Sequence, residues 1–190
     1  MNDTQHIDTI VFDLGGVLID WNPRHLYRKI FNDEVEMERF LTEVCNSEWN
    51  EQQDAGRPWT EGVAEAIKQH PHYEAEIRAY HERWPETLNG AIDDTVALLE
   101  TLKRSGIRLL ALTNWSNETF HFAEEQFPFL TQFEGILVSG YEHLAKPDPR
   151  IFNLLIERYH LTPQHTIFID DSLRNVEGAR NVGLRALQFT

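Results

Sequence analysis

Four places in the sequence set oxygen- or nitrogen-bearing side chains at the ends of short apolar runs. Asp13 follows IDTIVF (7–12) and precedes the Gly15–Gly16 pair, and Thr113–Asn114 follows IRLLAL (107–112). Lys146 lies between GILVS (135–139) and the next helical stretch, and Asp170–Asp171 closes TIFID (166–170). Singly these residues are ordinary, since Asp caps helices and Lys usually sits in water. Three carboxylates beside one lysine, however, cannot all stay charged and close without a further cation. A divalent ion resolves the conflict. The donors are hard oxygens without a Cys or His cluster, which favours Mg²⁺ over zinc. Mg²⁺ held by one or two carboxylates and a phosphate oxygen is the usual arrangement for phosphoryl chemistry.

The periodicity of the chain makes these places neighbours. IDTIVF is a β-branched apolar run that reads as a buried strand. After Asn89–Gly90 helix and strand patterns alternate. Val96, Leu99 and Leu102 mark a helix closed by Gly106, and a strand follows at 107–112. A helix capped by Ser116 runs to about Gln126, a strand occupies 135–139, and Asp148–Pro149 opens a helix to about His160. A strand at 166–170, a helix at 172–182 stopped by Gly183 and a strand at 184–189 complete the set. The alternation predicts an α/β fold, a Rossmann-like parallel sheet with helices on both faces. In such a sheet every strand-to-helix connection lies on the carboxyl edge, where ligands bind, so the four places share one rim.

From Asn22 to about Trp84 the chain is polar and helical in period, with helices expected at 23–31, 34–45, 47–54, 60–70 and 72–84. The expected organisation is therefore a core domain of residues 1–21 and 91–190, interrupted by a helical cap at 22–90. The five tryptophans fall mostly in or beside that cap, where packing is their first task. Trp21 and Trp49 are the two assigned to stack on a sugar in the cleft. His70, His72 and His81 lack the i, i+4 spacing of a metal pair.

Composition narrows the partners. The 190 residues carry 31 acidic against 17 basic side chains, a formal charge of −14 with nine neutral histidines. That excludes a generic nucleic-acid or anionic-membrane binder, whose affinity comes from a basic patch. With 41% hydrophobic and 25% charged residues the composition is globular. The single cysteine, Cys45, cannot form an intrachain disulfide and reads as a small apolar filler. MNDTQHIDT lacks the pattern of a secretory leader and no run approaches the ~20 apolar residues of a membrane span, so a cytoplasmic protein is expected.

Four segments carry a family resemblance: FDLGGVLID (12–20), ALTN (111–114), KPDPRIF (146–152) and FIDDSLRNVEGA (168–179). They resemble the four ordered motifs of the haloacid dehalogenase-like (HAD) hydrolases. AGRPWTEGVAEAI (55–67) is similar to the small helical cap of subfamily I. The D-L-G-x-V form of the first motif is nearest to sugar-phosphate phosphatases of the alpha-D-glucose-1-phosphate phosphatase type. The resemblance implies a Mg²⁺-dependent phosphatase, monomeric or homodimeric, that hydrolyses a small phosphorylated metabolite such as a sugar phosphate through an aspartyl phosphate. It makes Asp13 the nucleophile and gives the Thr113 hydroxyl and Asn114 backbone N–H a phosphoryl oxygen to hold. Lys146 would pair with nucleophile and phosphate. Asp171 would bind the metal with Asp13 and the Gly15 carbonyl, and Asp170 would orient or assist.

The sequence departs from that family at one position. Most of its phosphatases carry D-x-D in the first motif, and the second Asp protonates the leaving alcohol and activates water; here it is Gly15. A positioned acid or base contributes about 10² to 10⁴ in rate. Asp20, a cap residue or the substrate itself are the candidates to replace it. Two other readings share the fold. A metal-free 2-haloacid dehalogenase uses the same aspartate, but has no need of the Asp170–Asp171 pair. A binding or regulatory module would have lost turnover at Gly15. A two-component receiver domain would place its acidic pair after the first strand rather than the fourth.

Overall fold

Alternate residues of the central strands face opposite ways and bury two apolar layers. The computed structural model describes residues 6–190; residues 1–5, where the stretch read for a leader begins, lie outside the described residues. The central sheet comprises β1 (Thr9–Phe12), β4 (Arg108–Thr113), β5 (Gly135–Val138), β6 (Thr166–Asp170) and β7 (Arg185–Gln188), in the order β5-β4-β1-β6-β7. All four pairings are parallel, with Val11 between Leu110 and Phe168. Ile10, Phe12, Leu109 and Ala111 pack with Leu99 of α6 (Asp93–Arg104) and Phe120 and Ala123 of α7 (Phe120–Gln126). Val11, Leu110, Leu137 and Phe168 pack with Ile151, Phe152 and Leu155 of α9 (Pro149–Arg158) and Val176 and Ala179 of α10 (Leu173–Asn181). Asp148 starts α9 by accepting the Arg150 N–H, with Pro149 in the first turn. The expected parallel sheet, covered on both faces, is what the chain forms.

Between β1 and α6 lies the helical segment: α1 (Pro23–Tyr27), α2 (Glu34–Glu43), α3 (Ser47–Asp54), α4 (Trp59–Gln69) and α5 (Glu74–Glu82). The side chains of Asn22, Asp33 and Asn46 accept the N–H groups of Arg24, Val35 and Trp49, which fixes where the first three helices begin. Their buried faces are aromatic, with Tyr27 and Phe40 rings 4.9 Å apart and Trp59 and Tyr80 rings 5.5 Å apart. This aromatic cluster is continuous with the α6–α7 side of the sheet. No helix of the described residues is long and apolar enough to cross a membrane.

The segment leaves and re-enters on an antiparallel ribbon, β2 (Ile19–Trp21) with β3 (Leu88–Ala91), which sequence periodicity does not show. Only Ile19 of β2 is fully buried, and β3 contains Asn89–Gly90, a pair that reads as a turn. Elsewhere helices end earlier than expected. The stretch read as one helix at 72–84 divides into a 3₁₀ turn (Pro71–Tyr73), α5 and a second 3₁₀ turn (Trp84–Thr87), the latter imposed by Pro85. The helix expected from Ser116 begins at Phe120, although the Ser116 hydroxyl does accept the Glu118 N–H at 3.3 Å as well as the Trp59 indole N–H at 3.1 Å; residues 117–119 form a turn that leads into it. Ser139 opens a four-residue helix, α8 (Ser139–Glu142), rather than ending β5.

Candidate active site

β1 delivers Asp13 to the carboxyl edge, where its N–H still donates to Ile169 of the neighbouring strand at 2.8 Å. One carboxylate oxygen, Oδ1, accepts the Leu14 N–H at 2.7 Å; the other, Oδ2, lies 2.9 Å from Lys146 Nζ. The chain then turns sharply through Gly16, whose φ is +74°. A Cβ on Gly16 would stand 2.5 Å from Asp171 Oδ2, so glycine there meets two demands, left-handed backbone and close approach of that carboxylate. Gly15 is under no such demand. The nearest atom to a Cβ built there is 3.9 Å away.

Lys146 is buried, and its ammonium has three oxygen partners: Asp13 Oδ2, Asp170 Oδ2 at 2.7 Å and the Leu112 carbonyl at 3.0 Å. The Phe168 ring lies below it, 5.4 Å from Nζ. Burial disfavours the ammonium, but Asp13 and Asp170 outweigh that and hold its pKa above the ordinary value. The loop carrying Lys146 is fixed by Asn114, whose Oδ1 accepts the Lys146 N–H at 2.8 Å and whose Nδ2 donates to the Lys146 carbonyl at 3.0 Å. Asn114 thus has a side-chain task in addition to the main-chain one implied by resemblance.

Asp170 is fully buried and its acceptor capacity is filled. Oδ1 takes the Ser172 N–H at 2.8 Å and Asn175 Nδ2 at 3.0 Å; Oδ2 takes Lys146 and, at 3.1 Å, the same Asn175 amide. Asp171 stands at the exposed rim. Asp13, Asp170 and Asp171 each offer an oxygen within 4.8 Å of the others. Burial pushes the Asp13 carboxyl up to about 7, with Lys146 opposing and Asp170 reinforcing. Asp171 is raised as well, by burial and then by Asp170.

A cavity of about 530 Å³ opens over this edge, within the range of small-ligand sites. Asp13, Thr113 and Asp171 line it from the sheet, and Trp21, Asn50 and Trp84 from the ribbon and helical segment. The expectation for Trp21 thus has its residue in the cavity. That for Trp49 does not: its ring packs 5.6 Å from Trp59 and 5.4 Å from Tyr80, and its indole N–H donates to the Gly62 carbonyl at 3.2 Å. One residue further along α3 the helix has turned about 100°, and Asn50 faces the cavity instead.

Sequence reasoning missed Asn50 and Asp54, both on α3 and both lining the cavity. Asn50 Nδ2 donates to Asp54 Oδ2 at 2.9 Å, while Asn50 Oδ1 is buried without a partner. The Asp54 carbonyl accepts from Ser139 Oγ at 2.5 Å. Burial pushes the Asp54 carboxyl up to about 7, against the Ser116 backbone N–H bonded to it. The sequence carried no signal for either: α3 buries Trp49, Asn50, Gln53 and Asp54, a face that is mostly polar where an apolar stripe is usual, so hydrophobic periodicity does not mark it.

The sheet edge and its converging Asp, Lys and Thr side chains define an α/β enzyme with a nucleophile-capable aspartate after the first strand. The pattern of the haloacid dehalogenase-like hydrolases matches residues 7–183, and the chain belongs to that hydrolase family. It is 30% identical over 181 residues to the sesquiterpene phosphatase astK of Aspergillus oryzae, covering 95% of this chain and 88% of that one. To a phosphorylated carbohydrates phosphatase of Thermotoga maritima it is 23% identical, covering 95% and 84%. The crystal structure of a HAD family enzyme from Bacteroides thetaiotaomicron superposes with a TM-score of 0.75 at 25% identity, covering 97% of this chain and 94% of that one. A complex of that enzyme with magnesium and inorganic phosphate superposes with a TM-score of 0.72, also at 25% identity, covering 96% and 93%.

Proposed function

We propose that this hydrolase is a Mg²⁺-dependent phosphatase of a small phosphorylated metabolite, with Asp13 as the nucleophile. The observation that carries the reading is the Asp13–Lys146–Asp170 array, a carboxylate aimed into a cavity with its counter-charge already buried beside it. The donor set fits Mg²⁺: hard oxygens only, with the carboxylates clustered and Gly16 leaving room for that of Asp171. Asp13, Asp171 and the Gly15 carbonyl would hold it, and Asp170, its lone pairs occupied, orients Lys146. The ion would neutralise and polarise a phosphate oxygen. Asp13 attacks phosphorus, Lys146 offsets the charge that builds up, and Thr113 holds a phosphoryl oxygen. Residues 22–90 act as a cap that shields the aspartyl phosphate from bulk water.

The cavity wall supports a hydroxylated leaving group such as a sugar. The indole N–H groups of Trp21, Trp84 and Trp115 and the Asn50 Oδ1 are buried without partners, and all four residues line the cavity. An unpaired buried polar group costs about 1–3 kcal/mol, which favours a ligand whose hydroxyls reach these atoms over a hydrocarbon that cannot pair with them. Metal-free halide displacement would leave the three clustered carboxylates short of positive charge.

Phosphate release from a sugar-phosphate panel is expected to require Mg²⁺ and to vanish in Asp13→Asn. Undiminished release by that variant, or release that survives EDTA, would overturn the assignment. Faster release from isoprenoid than from sugar phosphates would overturn the hydroxylated leaving group.

A further inference from the structure

We propose that Asp54, carried over the cleft by α3, is the general acid and base of the reaction, doing from the helical segment what Gly15 cannot do from the first motif. The inference rests on the phosphatase reading above. Among the described residues four carboxylates line the cavity: Asp13, Glu51, Asp54 and Asp171. Asp13 is paired with Lys146, Asp171 stands at the metal position, and Glu51 faces Arg174 at 3.2 Å. Asp54 alone of the four is buried with no cation in contact, and its hydrogen-bond partners are the neutral Asn50 amide and Ser116 N–H. No histidine lines the cavity, and burial pushes the Cys45 thiol well up, out of acid–base range. Asp20, the other named candidate, does not line the cavity; His25 and then Asn89 hold its carboxyl below the ordinary value and therefore ionised.

Glu51 and Asp13 raise the proton affinity of Asp54 further, Lys146 lowers it, and Tyr80 is the remaining titratable neighbour. A carboxyl near 7 is matched to proton transfer at neutral pH. In the first step the Asp13 carboxylate forms a bond to phosphorus, the phosphorus–leaving-oxygen bond breaks, and that oxygen takes the Asp54 proton. In the second, the Asp54 carboxylate takes a proton from water as its oxygen bonds to phosphorus. The phosphorus–Asp13 bond breaks, releasing inorganic phosphate and restoring both side chains.

The test compares kcat/KM of wild type and Asp54→Asn, in Mg²⁺, on 4-nitrophenyl phosphate and on alkyl esters (glucose 6-phosphate, glucose 1-phosphate and glycerol phosphate). Nitrophenolate leaves without a proton; an alkoxide does not. The variant is expected to lose about 10² to 10⁴ on the alkyl ester that wild type turns over best and less than roughly tenfold on the aryl ester. Equal losses on both would overturn the assignment, as would a wild type active on the aryl ester alone. A wild type silent on every ester would instead sink the phosphatase reading. Should the variant not fold, the wild-type pH profile decides. Alkyl kcat/KM is expected to fall above about 7 relative to aryl kcat/KM, and superimposable profiles would overturn the inference.

Discussion

Removing the Asp54 carboxylate is expected to stabilise the metal-free protein in alkaline solution, the opposite of what deleting a hydrogen-bonded side chain usually does. Burial raises this carboxyl from 3.8 to about 7, so the folded protein binds the proton more tightly than the unfolded chain. Its contribution is therefore most favourable below pH ~4 and is lost as pH rises through about 7. A shift of that size corresponds to roughly 4 kcal/mol between the two limits. Asn does not titrate. It can still accept the Ser116 N–H, and turning the Asn50 amide over presents its unpartnered Oδ1 to the new NH₂ group. The stability of Asp54→Asn minus that of wild type should therefore climb by up to about 4 kcal/mol between pH 4 and pH 8. Urea titrations followed by tryptophan fluorescence at several pH values, in EDTA, measure this directly. Parallel stability profiles for the two proteins would refute the argument, because they would mean that the native carboxyl titrates as it does in the unfolded chain.

Other perturbations probe the remaining parts of the site. Gly16→Ala places a Cβ against Asp171 and strains a positive φ, so half-maximal activity should need about 10- to 100-fold more Mg²⁺; unchanged half-saturation would remove Asp171 from the metal site. Lys146→Met leaves Asp13 and Asp170 facing each other without a cation and should cost about 3–5 kcal/mol at pH 8, with part regained at pH 5 as the Asp13 carboxyl takes up a proton. Equal losses in urea unfolding at both pH values would contradict that account. Gly15→Asp, at a position with room for a side chain, should restore alkyl-ester turnover to the Asp54→Asn protein; a double variant as slow as the single one would indicate that the missing function is not proton transfer.

Much of the sheet edge was legible because strand ends in a parallel sheet obey a simple grammar. β6 occupies the expected 166–170, and the residues at the ends of β1, β4 and β6 and before α9 are those that meet. The helical segment was legible as helices and illegible as a wall. α3 has the expected bounds, 47–54, yet nothing in its pattern told which way it faces, so Trp49 was assigned to the cleft where Asn50 stands. That orientation is set by contacts remote in sequence, such as Ser139 Oγ with the Asp54 carbonyl across 85 residues. The β2–β3 ribbon escaped for the same reason, since two short strands, one holding Asn–Gly, declare themselves only by pairing.

The helical segment and the α6–α7 side of the sheet share one apolar cluster, whereas the α9–α10 side has its own. Two ties bind Trp59 across that seam, its N–H to Glu118 Oε1 at 3.0 Å and its indole to Ser116 Oγ. Uncovering the cavity thus means sliding or parting a greased joint, a collective event of microseconds to milliseconds rather than the nanosecond flicker of a free loop.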